Sequence, residues 1–132
     1  MSRRTNIIAQ LRADLSTIAT SSSILKTIDE INDWPTICFT PGNESRTHFG
    51  AGLRWATTLI QLRGYTYDDG VDAMTAAETL ARSIEDVVDQ FRASHPSLNV
   101  VQMRVQSIRT DEGVMEPYGI ADLLIELTYE VT

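Results

Sequence analysis

At 132 residues and a formal net charge of -7, the chain is sized for one domain, residues 1–132, with the 42% hydrophobic and 22% charged content of an ordinary globular protein. The acidity argues against a nucleic-acid-binding surface, because phosphate contacts need clustered Lys and Arg. One cysteine excludes an internal disulfide or a zinc-binding CxxC pair, and no apolar run approaches the roughly 20 residues of a membrane span.

The chain starts "MSRRTNIIAQLRADL", which polar residues interrupt too often for a signal peptide. A reducing cytoplasm and no membrane partner are the expected setting. Ile7, Leu11, Leu15 and Ile18 recur at helical spacing, with Ile8 beside them, and predict a helix over 5–19 capped by Thr5 or Asn6. "TSSS" ends it, since short hydroxyl side chains compete for backbone hydrogen bonds. Residues 24–33, "ILKTIDEIND", read as a ragged edge strand or a short helix, and strand is preferred. "PTICFT" is a short strand that buries Cys38 as a structural thiol. "PGNESRTHFGAG", 41–52, has three glycines, a proline and little to bury, and reads as a loop.

"LRWATTLIQLRGYTY", 53–67, is rich in β-branched and aromatic residues. As one strand it spans on the order of 45 Å, about twice a typical strand, so a bulge at Gly64 or a projecting end is expected. "DDGVD" breaks it. The clearest helix is 75–91: Ala77, Leu80, Ala81, Ile84, Val87, Val88 and Phe91 form one stripe, with the acids off it. "TAAE" and Asp72 compete as its start. Two alternating segments close the chain. In 100–110 Val101, Met103 and Val105 oppose Gln102, Arg104 and Gln106; in 121–131 Leu123, Ile125, Leu127, Tyr129 and Val131 oppose Asp122, Glu126, Thr128 and Glu130. If the two pair as a hairpin, Arg104 meets Glu126 or Thr128. The fold class is α+β: a mostly antiparallel sheet with two helices packed on one face.

Catalytic constellations are missing from the sequence. Asp68–Asp69 and Asp111–Glu112 are adjacent acids in turns, which point apart, whereas paired-carboxylate chemistry needs them across a cleft. His48 and His95 have no ligand partner at helical spacing. Ser22 and Cys38 lack an activating context, and "GNESRTHFGAG" lacks the lysine of a phosphate loop. No enzyme activity, cofactor or metal site is expected. What remains is contact surface: the long strand 53–67 and the segment 41–52 as assembly elements, with Trp55 and Tyr65 as aromatic anchors. Trp55 reads equally as a core residue.

Several segments together resemble the tail terminator (tail completion) family of long-tailed bacteriophages. They are the N-terminal helix, "DWPTICFTPGNE" (33–44), "LIQLRGYTYDD" (59–69), "AAETLARSIEDVVDQF" (76–91) and "SIRTDEGVMEPYGIADLLIELTYEV" (107–131), in an order that covers nearly the whole chain. The resemblance implies a structural virion protein: a homo-oligomeric ring, hexameric, that caps the tail tube, ends its polymerisation and offers a surface for head–tail joining. Its partners would be the tail tube protein and the head–tail connector or neck protein, with DNA only passing through the lumen. It would sit at the tail–neck junction after assembly in the host cytoplasm. A head-side neck or connector protein is the alternative, and a small ligand-binding domain or enzyme the reading from another class. On the ring reading Arg46, Phe49, Trp55, Arg63 and Tyr65 are the candidate subunit or tube interface. Asp111, Glu112 and Glu116 are the candidate lumen- or neighbour-facing acids.

Overall fold

Apolar periodicity decides where the helices lie. The structure is a computed structural model that describes residues 2–22, 26–68, 72–112, 114 and 117–131. Helix α1 runs Arg3–Leu15 and buries Ile7, Leu11 and Leu15. Ser2, not Thr5 or Asn6, is its N-cap, accepting from the Thr5 amide at 3.2 Å. The helix stops at Leu15, short of the expected residue 19. There the Ser16 hydroxyl turns back on the Arg12 carbonyl at 2.8 Å, and that of Thr17 on Asp14 at 2.8 Å. Helix α2 spans Ala73–Ser94 and buries the expected stripe except Val87, which is half-buried. Asp72 wins the capping competition: its carboxylate accepts from the amides of Met74 and Thr75 and from the Thr75 hydroxyl at 2.8 Å, so the helix starts two residues early.

Among the described residues five strands form one sheet: β1 (Thr20–Ser22), β2 (Thr36–His48), β3 (Arg54–Tyr67), β4 (Val100–Thr110) and β5 (Tyr118–Glu130), in spatial order β1-β2-β3-β5-β4. Every pairing is antiparallel except that of β1 with β2. Both helices cover one face. Ile37, Phe39, Ile60, Leu62, Leu123, Ile125 and Leu127 point into them and are buried, as the alternation of β5 predicted. Arg104 pairs with Glu126 in register, and their side chains meet at 3.3 Å on the opposite, outer face. The alternation of β4 is less regular than its sequence: bulges between Val100 and Gln102 and between Val105 and Ser107 shift it, so Val100 is buried and Val101 only half-buried.

Three expectations are corrected. Residues 41–48 are strand, not loop. They pair with β3, and a register shift between Pro41 and Glu44 absorbs Gly42 and Asn43. The Thr58 hydroxyl satisfies the Asn43 carbonyl at 3.0 Å. Gly42 is required there because a Cβ would lie 2.6 Å from the Leu59 carbonyl oxygen. The bulge is therefore in β2, and β3 runs through Gly64 in unbroken register with β5. Gly64 serves close packing instead: a Cβ would meet Leu80 of α2 at 2.6 Å. Finally, the described part of 24–33 holds one 3-10 turn, Ile28–Glu30, and no strand; β1 lies just before it, in "TSSS". Thr27 and Glu30 form a capping box around that turn.

The segment 26–35 crosses to the outer face and covers one end of it. Ile31, Cys38 and Tyr65 form a second small core there, flanked by Ile28, Trp34 and Ile120. Burial pushes the Cys38 thiol above its ordinary range, in keeping with an inert buried side chain.

Candidate functional site

The two ends of β3 carry different chemistry. At the start of β3 the chain turns tightly through Phe49–Leu53. The Leu53 amide bonds the Gly50 carbonyl at 3.2 Å, and Ala51 and Gly52, at φ 59° and 78°, both adopt the left-handed backbone such a turn needs. Phe49 and Leu53 stay exposed, at 38% and 39%. Phe49 packs edge-on against the half-buried Trp55 with ring centroids 4.8 Å apart. This tip belongs to a basic stretch: from Ser45 to Tyr67 the sequence has Arg46, Arg54 and Arg63 and no acid, in a chain whose net charge is -7.

The tip has a firm root. Arg4 of α1 donates to the Gly42 carbonyl at 2.6 Å and lies 4.0 Å from Glu44. Arg3 donates to the Glu130 carbonyl. Glu44 also accepts from Arg46 at 2.8 Å and from the Tyr129 hydroxyl. Burial pushes the Glu44 carboxyl up, but the bonds from Tyr129 and Arg46 and the positive charge of Arg46 and Arg4 outweigh it and hold it below the usual range. Burial, with the Glu44 carboxylate as acceptor, pushes the Tyr129 phenol up to about 12.

At the far end of β3 lies a groove of about 450 Å³ between the start of α2 and the chain entering β2. Ile18, Pro35 and Leu80 give it apolar walls, Thr79 lines its helix side, and Asp68 and Asp72 sit at its acidic end. Hydrogen bonds from Thr75 and the Met74 amide hold the Asp72 carboxyl below its ordinary range, so it is charged at neutral pH. Beside the groove Trp34, Tyr67 and Tyr118 form an aromatic trio with centroids 5.4–5.9 Å apart. Sequence reading missed this groove because its residues come from separate segments between 18 and 83. The composition of "DDGVD" was the one local signal.

The candidate interface residues divide. Arg46, Phe49 and Trp55 gather at the tip. Arg63 lies apart on the outer face, in a two-pronged pair with Asp122 at 2.7 and 3.1 Å that holds its guanidinium above its ordinary range. Tyr65 is 3% exposed; its ring fills the second core and its hydroxyl donates to the Lys26 carbonyl, so in the monomer it serves packing. Of the candidate acids, Asp111 is half-buried and accepts from the Ile120 amide at 3.3 Å, which closes the base of the β4–β5 connection. Glu112 is exposed in the left-handed region at φ 56°. Glu116 lies outside the described residues. His48 is exposed on β2, whereas His95 is half-buried, bonds Asp14 at 2.7 Å and packs on Phe91, joining the two helices. Among the described residues no group of three or more His, Cys, Asp or Glu is placed to hold a metal ion.

A solved structure, titled "Virion of native gene transfer agent (GTA) particle", shares the fold at a TM-score of 0.54 and 11% identity, over 98% of this chain and 92% of that one. The "Tail tube terminator protein p142" of Escherichia phage T5 is 26% identical over 113 residues, which are 77% of this chain and 69% of that protein. The family model described as "Bacteriophage Tail Tube Terminator Protein" matches residues 1–132. The chain therefore belongs to the bacteriophage tail tube terminator family.

Proposed function

We propose that this chain is a structural component of a phage virion, without enzymatic activity, that closes the end of the tail tube as a ring of six copies and stops its growth. The observation that carries this reading is the family match along the whole chain. The relative in phage T5, named as a tube terminator, supports the same role. One face of the ring meets the tail tube protein. The other meets the head-side connector or neck protein at the tail–neck junction, after assembly in the host cytoplasm. A ring of identical subunits needs an interface between two different patches that closes on itself instead of growing into a filament. Two ends of one strand with unlike chemistry suit that requirement. DNA passes through the lumen without being held, because the acidic chain repels phosphate. Asp111 and Glu112 are the described acids we assign to the lumen or a neighbouring subunit.

Tails assembled without this protein test the reading. Tubes of abnormal length without heads, restored to normal by adding the protein, are expected, with a ring visible at the tube end in electron micrographs. Tubes of normal length accompanied by unattached heads would instead identify a head-side neck protein.

A further inference from the structure

The tip and the groove lie at opposite ends of β3, thirteen residue steps apart, so roughly 40 Å separates them and they cannot meet within one chain. Each lacks what the other has. The tip exposes two apolar side chains, Phe49 and Leu53, with Arg54 beside them. The groove has apolar walls and two acids at its end. Its volume of about 450 Å³ exceeds the roughly 150 Å³ that suffices for a benzene-sized ring. Opposite charges add to this match: Arg54 stands beside the tip, and Asp68 and Asp72 line the groove.

We infer that the β2–β3 tip of one copy seats in the groove of the next, with Phe49 against Ile18, Pro35 and Leu80 and Arg54 towards Asp68. The contact joins two different patches, so it runs head to tail and repeats around a ring. It rests on the reading that copies of this chain assemble, and it names the surfaces they use.

Two variants of the full-length chain test it, each at an exposed position: Phe49→Asp at the tip and Thr79→Trp to fill the groove. Circular dichroism and melting check that both fold, and Leu53→Asp replaces Phe49→Asp if that variant does not. Sedimentation velocity is measured for each protein, alone and with purified tail tubes. The wild type is expected to assemble, each variant alone to stay monomeric, and an equimolar mixture to stop at dimers, because only one functional tip–groove pair remains between the two. Assembly of Phe49→Asp or of Thr79→Trp to the wild-type size overturns the inference and leaves the ring reading standing. Normal Phe49→Asp rings that no longer bind tubes assign the tip to the tube protein and also overturn it. A wild type that is monomeric alone and on tubes overturns both.

Discussion

Gly119 and Glu44 illustrate two ways in which one residue controls this molecule. A Cβ on Gly119 would lie 2.5 Å from the Thr66 hydroxyl, 2.6 Å from the Ala73 carbonyl oxygen and 3.1 Å from the Ala77 Cβ. Two of these obstacles belong to α2 itself and cannot swing aside. Gly119→Ala is therefore expected to destabilise by about 1–3 kcal/mol through overpacking, read as a lowered denaturant midpoint. Glu44 acts through charge. Its folded carboxyl titrates below the ordinary carboxylate range, so the stability it contributes is present above that range and is lost as pH falls through the folded value. Glu44→Gln is expected to cost roughly 1–2 kcal/mol at neutral pH. The difference in melting temperature from the wild type should shrink below about pH 4. A gap that stays constant down to acid unfolding would show that the charge is not what matters. At the other extreme, the Tyr129 phenol is held protonated up to about 12, so its contribution is whole below the ordinary tyrosine range and fades as pH rises towards that value.

At the scale of elements, α2 is the piece on which the core depends. Ile84 is fully buried among both helices and the sheet. Ile84→Asp places an unpaired charge there and is expected to leave no cooperative melting transition at neutral pH. A wild-type melting curve would show that the stripe is not the core face. This helix was legible in the sequence because its period is local, as were the alternation of β5 and the meeting of Arg104 with Glu126. The second half of β2 was not. Pro41, Gly42 and Asn43 carry loop chemistry, and only pairing with β3 makes this segment a strand, with the bulge taking up the misfit. Tyr65 was read as a surface anchor for a similar reason. Its burial depends on segment 26–35 returning across the outer face, a contact that no local pattern announces. Of the candidate site, the tip residues were visible as exposed aromatic and basic positions. The groove was not, because it exists only once α2, the end of β3 and Pro35 are brought together.

At the scale of the whole molecule, charge is distributed unevenly in a way that suits assembly. The outer face balances three arginines, Arg63, Arg104 and Arg109, against Asp122, Glu126 and Glu130. The exposed side of α2 has Glu78 and Glu85 shared by Arg82, with Asp86 and Asp89 beyond. The β2–β3 stretch is net basic, with three arginines against Glu44, in an acidic chain. Copies that meet tip to groove bring unlike charges together, and screening by salt weakens that attraction. Assembly of the wild type is accordingly expected to fall as sodium chloride is raised from about 0.05 to 0.5 M, measured as the oligomer fraction at fixed protein concentration. The burial of Phe49 and Leu53 does not depend on salt in that direction, so assembly that strengthens with salt would mark an apolar contact without the charge term.

The anchorage of the tip has a geometric consequence for copy number. In a ring of six, each subunit is turned by about 60° from the last, and in a ring of seven by about 51°, so an error near 9° per joint changes the count. The direction in which the tip leaves the body is held where Arg4 grips the Gly42 carbonyl and faces Glu44, and where Tyr129 holds Glu44 from β5. These groups lie outside the groove and reach the tip only through the Glu44–Arg46 pair, so they bear on the direction in which it projects. In the proposed ring they would act as a protractor: loosening them is expected to leave subunits able to join but to broaden the number of copies at which the ring closes.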